Sequence, residues 1–344
     1  MDIAERTEQG VSVVGVGGRV DGSTAAELER RLLAGLQSGA PLLVDLSGLG
    51  YISSAGLRSF LKAAKQAKAA GVPLALAGLQ AQVREVFEVA GFLPLFAVHA
   101  DVAAGLAALA GAPHAPAGAV SAAAPAPEGS HPTLLEEVVL LGIDEESGVP
   151  RPTARSVLDL VVAGAALMEL ALLGRVDSDL ETTSVTDATP TGEPLLDGVL
   201  AALAASGPGP TADRVSEIAA YGAELREKAL DRLVARGILR CQEGRILWIF
   251  RDRRYPVVDG RERREVRARL RDLLLGTDIP DARDVVLVCL VDACGLFGAV
   301  LNDEEFTKAK PRIAQIRRMD LIGQEVERSI VQIEAAIARS MLPV

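Results

Sequence analysis

The stretch 43-LVDLSGLGYISSAGL-57 decides how the first third of the chain folds. It opens as a short apolar run suited to a buried strand and closes on the start of an amphipathic helix. Residues 41–46 read as the strand and 55–70 as the helix, with Leu57, Phe60, Leu61 and Ala64 on one face and Gly71 as the stop. Ser53 and Ser54 fall between the two. The first turn of a helix has unpaired N–H groups and positive dipole character. Serine there is a good N-cap, and a phosphate there is electrostatically welcome.

The same alternation continues on both sides. Residues 11–16 are strand-like, and Thr24-Ala-Ala-Glu27 reads as a capping box before a helix that buries Leu28, Leu32 and Leu36. Residues 72–77 form another strand, followed by a helix burying Val83, Val86, Phe87 and Ala90 that ends at Gly91. Strand and helix in this order imply a small α/β sheet with helices packed against it. Gly15-Val-Gly-Gly18 lacks the third spaced glycine of a dinucleotide loop and reads as a bend in a strand.

Residues 111–132, GAPHAPAGAVSAAAPAPEGSHP, carry no apolar period and cannot bury a core, so they read as a flexible linker. The domains on either side are 1–110 and 133–344. The second is mainly helical, with periods over 134–141, 156–173, 194–204, 212–236, 261–275, 285–301 and 321–340. Its one β signal is residues 244–250 (GRILWIF), facing 238–242 as a hairpin. The expected architecture is therefore two domains, an α/β unit and a helical bundle with a projecting β-hairpin.

Composition narrows the function classes. At 344 residues with 49% hydrophobic side chains, the chain is long enough for two cores and too apolar to be wholly disordered. Three cysteines and no basic-then-apolar leader suggest a reducing, cytoplasmic setting. Residues 285–301 fall short of a bilayer span and carry Asp292 centrally, so they read as a core helix. Histidines occur only at 99, 114 and 131, which leaves the second domain without imidazole for acid–base or metal chemistry. No Cys–His or Ser–His–Asp set, phosphate loop or metal spacing stands out. Cys289 and Cys294 read as inert core thiols, and Glu169 and Asp292 as hydrogen-bonded structural carboxylates. The expectation is a non-enzyme with no cofactor and no metal.

Charge is unevenly spread. The whole chain carries −10, yet residues 226–271 hold 15 Lys+Arg against 7 Asp+Glu, leaving −18 for the remainder. A basic island in an acidic protein is a footprint for an anionic partner or a helix face laced with ion pairs. Trp248, Ile249 and Phe250, followed by Arg251, Arg253 and Arg254, would make an apolar tip with a cationic collar, suited to peripheral contact with an anionic membrane. Two rivals stand beside that reading. A helix-plus-wing nucleic-acid binder would use the same arginines, although no base-reading set accompanies them. A passive interaction scaffold is the other, and self-association through the hairpin stays open.

The sequence from Val44 to Phe92 resembles the STAS domain of anti-sigma factor antagonists, through its strand–Ser-Ser-Ala-Gly-Leu–helix pattern and the following Gly-Val-Pro-Leu. The resemblance extends over residues 1–110. It implies phosphorylation of Ser54 by a serine kinase of the partner-switching type, often the anti-sigma factor itself. Ser53 stands where the family often has Asp and is a second candidate.

Residues 133–340 resemble the Golgi phosphoprotein 3 family of phosphoinositide-binding adaptors. The carrying pieces are LLEEVVLLG (134–142), GAALMELALLGRV (164–176), PTGEPLLD (190–197), LVARGIL (233–239) and LWIF (247–250) running on to Tyr255-Pro256. The resemblance implies a headgroup site in which Arg226 keeps one expected arginine. Ala154, Ala163 and Ala223 replace a tryptophan and two arginines, with Arg151, Arg155 and Lys228 as nearby substitutes. Location at the inner face of the cytoplasmic membrane follows from this resemblance, with no nucleic-acid partner.

Overall fold

Strands β1 (Asp2–Glu8), β2 (Val11–Val20), β3 (Leu42–Ile52), β4 (Leu74–Ala77) and β5 (Ala97–His99) form one sheet in sequence order. The computed structural model describes residues 1–112, 132–145, 147–149, 151, 155–179, 181–246, 250–258, 260–324 and 326. β1 and β2 pair antiparallel and the other pairs are parallel. Each parallel pair needs a crossover. These are α1 (Ala25–Gln37), α2 (Ser54–Ala70) and α3 (Ala81–Val89), with α4 (Val102–Leu109) closing the domain.

Side-chain alternation sorts the sheet's two faces. Val14, Val16, Leu42, Val44 and Leu76 join the large core with α1, α2 and α3. Val11, Val13, Leu43, Ala75 and Ala77 face the other way and pack with Leu106 and Leu109 of α4. Phe60, Phe87, Phe92 and Phe96 stack edge to face in the first layer, Phe60 and Phe87 with centroids 5.3 Å apart. The Gly15–Gly18 run is a strand irregularity, where the β2–β3 register slips and Gly18 takes φ +79°.

The second domain is built around α6 (Arg155–Leu172), whose described residues beyond Val157 are buried on almost every side. Against it pack α5 (Leu134–Leu141), α7 (Pro194–Ser206), α8 (Thr211–Ala219), α9 (Gly222–Ala235) and α11 (Ala282–Ala293), with α10 (Arg261–Leu275) and α12 (Asp303–Arg317) outside them. Two of the long helical periods are broken. The stretch 212–236 divides into α8 and α9 at Tyr221-Gly222, where a Cβ on Gly222 would lie 2.7 Å from Asp159 Cα. The stretch 285–301 ends its α-helix at Ala293 because Gly295 turns left-handed at φ +63°.

Other expectations are corrected too. Thr24 caps no amide of its helix; its hydroxyl accepts from the Asp21 N–H, and Glu27 pairs with Arg30 and Arg31 instead. Capping boxes occur at Thr133/Glu136 and Asn302/Glu305. The hairpin pairs β9 (Gln242–Ile246) with β10 (Phe250–Arg254), so 244–250 is not one strand. Leu239 bridges Val257 outside the hairpin. The sequence reading also missed a three-stranded antiparallel sheet of β6 (Val176–Ser178), β7 (Thr182–Val185) and β8 (Gly209–Pro210). The apolar positions Ile330, Ile333 and Ile337 lie outside the described residues.

Candidate functional site

Ser53 is the N-cap of α2. Its backbone is extended at φ −94°, ψ 178°, and its hydroxyl accepts from the Gly56 N–H at 3.5 Å. Gly56 sits where no larger residue fits, since a Cβ there would fall 2.6 Å from Ile52 Cγ1 and 2.7 Å from Val20 Cγ1. That clearance lets the first turn of α2 press against β3 and fixes where the serines lie. Both are buried, Ser53 at 0% and Ser54 at 4% exposure.

What buries Ser54 is the other domain. Its Oγ donates to Asp177 Oδ1 at 3.2 Å and lies 3.2 Å from Ser178 Oγ, both on β6. The Ala55 N–H donates to the same Asp177 oxygen at 3.1 Å, and the Gly22 N–H to the other. Asp177 therefore supplies the negative charge that the α2 N-terminus favours. Tyr51 Oη donates to Asp179 Oδ2 at 2.9 Å, and Arg19 stacks 3.7 Å above its ring. Burial, then the Asp179 carboxylate, pushes the Tyr51 phenol well above its usual pKa.

Arg58, one turn along α2, donates to Ser54 Oγ at 3.3 Å and to the Ala171 carbonyl at 3.0 Å. Burial holds its pKa below the ordinary arginine value despite the attraction of Asp320 and Asp177. Farther along the helix, Lys65 pairs with Asp281 at 2.6 Å and Lys68 donates to the Thr277 carbonyl at 2.8 Å. Buried apolar residues of the two domains join in one contiguous cluster, from which the layer under α4 stands apart. Asp177 and Ser178 escaped the sequence reading because a three-residue strand is too short to show alternation; no other signal marked them.

The residues picked out for anion binding are dispersed. Arg226 Nη1 donates to Asp159 Oδ1 at 2.9 Å, and Lys228 pairs with Glu224. Arg151 lies 3.8 Å from Asp144. Arg155 begins α6, and Phe250 and Arg251 sit on β10, but their side chains are outside the described residues. Arg253 and Arg254 are exposed on β10, opposite Glu243 and Gln242. Trp248, Ile249 and Ala154 lie outside the described residues. Ala163 is fully buried in α6 and Ala223 is exposed on α9.

Several arginines of the basic island are held in ion pairs. Arg232 and Arg236 bind Glu136, which is 0% exposed. Arg269 binds Glu137 and Asp284, and Arg271 binds Glu305. Arg283, from outside the island, joins Glu137 to Glu169, whose other oxygen accepts from the Leu134 N–H. Burial pushes the Glu137 carboxyl up, against the pull of Arg283 and Arg269. Glu169 and Asp292, the latter 2.6 Å from Arg317, are thus ion-paired. Cys289 and Cys294 are buried, and burial pushes the Cys294 thiol up to about 12. Among the described residues, no three His, Cys, Asp or Glu are grouped to hold a metal, and no helix is long and apolar enough to cross a membrane.

Residues 134–333, more than half of the chain, match the family described as Golgi phosphoprotein 3 (GPP34). The chain belongs to the Golgi phosphoprotein 3 family. Residues 2–105 match the STAS domain. Over 90 residues the chain is 43% identical to BtrV of Bordetella bronchiseptica, whose name describes an anti-sigma factor antagonist; the match covers 26% of this chain and 78% of that protein. This Golgi phosphoprotein 3 family member thus carries a STAS domain of the anti-sigma factor antagonist type ahead of its family domain. Both memberships point to a signalling or adaptor role rather than a catalytic one.

Proposed function

We propose that the chain is a non-catalytic adaptor in which a STAS module docks an anti-sigma factor or serine kinase under control of phosphorylation at Ser54, with Ser53 as the alternative acceptor. The observation that carries this reading is the position of Ser54 in the first turn of α2, beside the Ser53 cap, within a STAS domain related to an antagonist-type protein. A phosphate there adds about −1.5 to −2 charge, enough to repel an acidic partner and to make docking costly through desolvation. The test is capture of partners by the full chain from its own host, with and without phosphatase, alongside mass spectrometry of residues 53 and 54. Partner capture confined to the unmodified chain supports the switch; equal capture by both forms refutes it.

The family domain in this reading brings the module to anionic lipid at the inner membrane face. Exposed Arg253 and Arg254 on β10 support that role, each basic residue near an anionic surface contributing about 1 kcal/mol. Arg251, Arg226, Arg151 and Arg155 are the remaining cation candidates. Co-sedimentation with phosphatidylserine vesicles should fall in the W248A/R253A/R254A variant and vanish with neutral vesicles. Equal sedimentation of wild type and variant on anionic vesicles ends the lipid proposal.

A further inference from the structure

The face that carries Ser54 is already occupied. Asp177 takes the hydroxyl of Ser54 and the amides of Ala55 and Gly22, while Ser178 lies against the same hydroxyl. The fit is close on both sides, since a Cβ on Gly22 would stand 2.6 Å from Thr186 Cγ2 of the second domain. Below the serine, the backbone carbonyl of Ala171 receives Arg58.

We infer that the chain's own helical domain is the resident occupant of the STAS partner face, so an outside partner and the β6–β7 edge compete for one surface and phosphorylated Ser54 admits neither as it stands. The inference rests on the reading of Ser54 as the phosphorylated residue only for its natural trigger; the masking itself follows from the contacts. Phosphoryl transfer requires Ser54 Oγ to attack the terminal phosphorus of a nucleoside triphosphate, its proton passing to the kinase's base as the diphosphate leaves. At 4% exposure that oxygen is beyond a kinase's reach until β6 moves away. Once the phosphate is attached, its charge lies against the Asp177 carboxylate. Arg58, 3.3 Å from Ser54 Oγ, offsets part of that repulsion, and the buried site has no room for the added group, so redocking is opposed. Linkage makes the effect reciprocal: docking disfavours modification by the factor through which modification disfavours docking.

Two consequences connect the domains. A partner that binds unmodified Ser54 frees the Asp177–Asp179 edge of the helical domain, so occupancy at one end alters what the other end presents. Because the domains are covalently joined, the internal competitor stands at an effective concentration on the order of millimolar, and a partner must outbid it.

The experiment compares amide hydrogen exchange in full-length wild type, S54A, S54D and S54D/D177N, following peptides that cover 54–61 and 176–179. S54D is expected to speed exchange in both by at least about tenfold, as the two surfaces separate. S54A removes the hydroxyl without adding charge and should stay within about threefold of wild type. D177N keeps an acceptor for the Ala55 amide while removing the opposing charge, so the double variant should regain most of the protection. Exchange in β3 and β4 must stay slow in S54D; if it rises alongside the other peptides, the variant has unfolded and the double variant's recovery decides. Unchanged protection in S54D, or no recovery in S54D/D177N, overturns the inference. No kinase or partner enters the measurement. Absence of natural phosphate at both Ser54 and Ser53 would therefore end the functional reading and leave the masked face standing, while unchanged exchange would do the reverse.

Discussion

Ser54 Oγ and Asp177 Oδ1 lie 3.2 Å apart although 123 positions separate them in the chain. That hydrogen bond, with the Ala55 and Gly22 amides on the same carboxylate, holds the α2 N-terminus against β6. Asp177→Ala removes the acceptor of the Ala55, Gly22 and Ser178 amides and one of the two acceptors within reach of the Ser54 hydroxyl. Such donors cost about 1–3 kcal/mol when left unpaired, so D177A should lower unfolding stability by about that amount, and D177N by less. Urea titration of both variants checks this; coincident midpoints for wild type and D177A would contradict it.

Gly56 is set by space. Any side chain at 56 meets Ile52 and Val20 at well under contact distance, so Gly56→Ala must push α2 off β3. Overpacking of this kind costs about 1–3 kcal/mol even though alanine is the better helix former. Thermal unfolding of G56A is the check, and a variant as stable as wild type would show that α2 has slack.

Glu136, itself 0% exposed, combines a capping role with two partly exposed arginines, of which Arg232 also binds Glu193. Losing the cap and the charge-assisted bonds costs about 1–3 kcal/mol, because the arginines left behind still reach solvent and Arg232 keeps Glu193. Glu136→Ala should therefore destabilise the helical domain by about that much, while E136Q, which keeps a cap acceptor, should lose less. The ordering of the two variants in denaturant is the measurement.

Asp320 predicts a pH dependence. Burial raises its carboxyl above the ordinary 3.8, against the opposing pull of Arg58 and the amides of Gly323 and Ile322. The folded chain thus binds this proton more tightly than the unfolded chain does. Stability contributed by the site falls as pH rises from 3.8 through the folded value, where the folded state must surrender a proton the unfolded state has already lost. Asp320→Asn abolishes that slope, so its stability relative to wild type should rise with pH across the window. Parallel pH profiles would refute the assignment.

Thiol chemistry separates the cysteines. Cys241 is exposed, whereas Cys289 and Cys294 are buried with thiol pKa values pushed upward by desolvation. Since the thiolate is the reactive species, a thiol reagent at pH 8 should label Cys241 alone in the native chain and all three after denaturation. Rapid native labelling at 289 would mean that α11 opens.

In the N-terminal domain β2, β3 and β4 with α1, α2 and α3 were legible from their periods and glycine stops, whereas β1, β5 and α4 were not read. Helices around α6 were legible as apolar periods, but their breaks at Gly222 and Gly295 were not. Those breaks come from the approach of α9 to Asp159 and from a left-handed turn, and neither changes the apolar spacing. The hairpin was visible in outline and misplaced in register, since its arms are mostly charged and carry no apolar alternation to fix the pairing.

The sequence alone determined two domains, the strand–serine–helix junction and the families to which each part belongs, since local periodicity and short motifs carry that information. The tertiary structure decided what stands in front of Ser54. A carboxylate on a three-residue strand leaves no pattern in the sequence, and its effect depends on distance in space: only folding brings Asp177 to the positive end of α2 and turns an accessible-looking serine into a buried one.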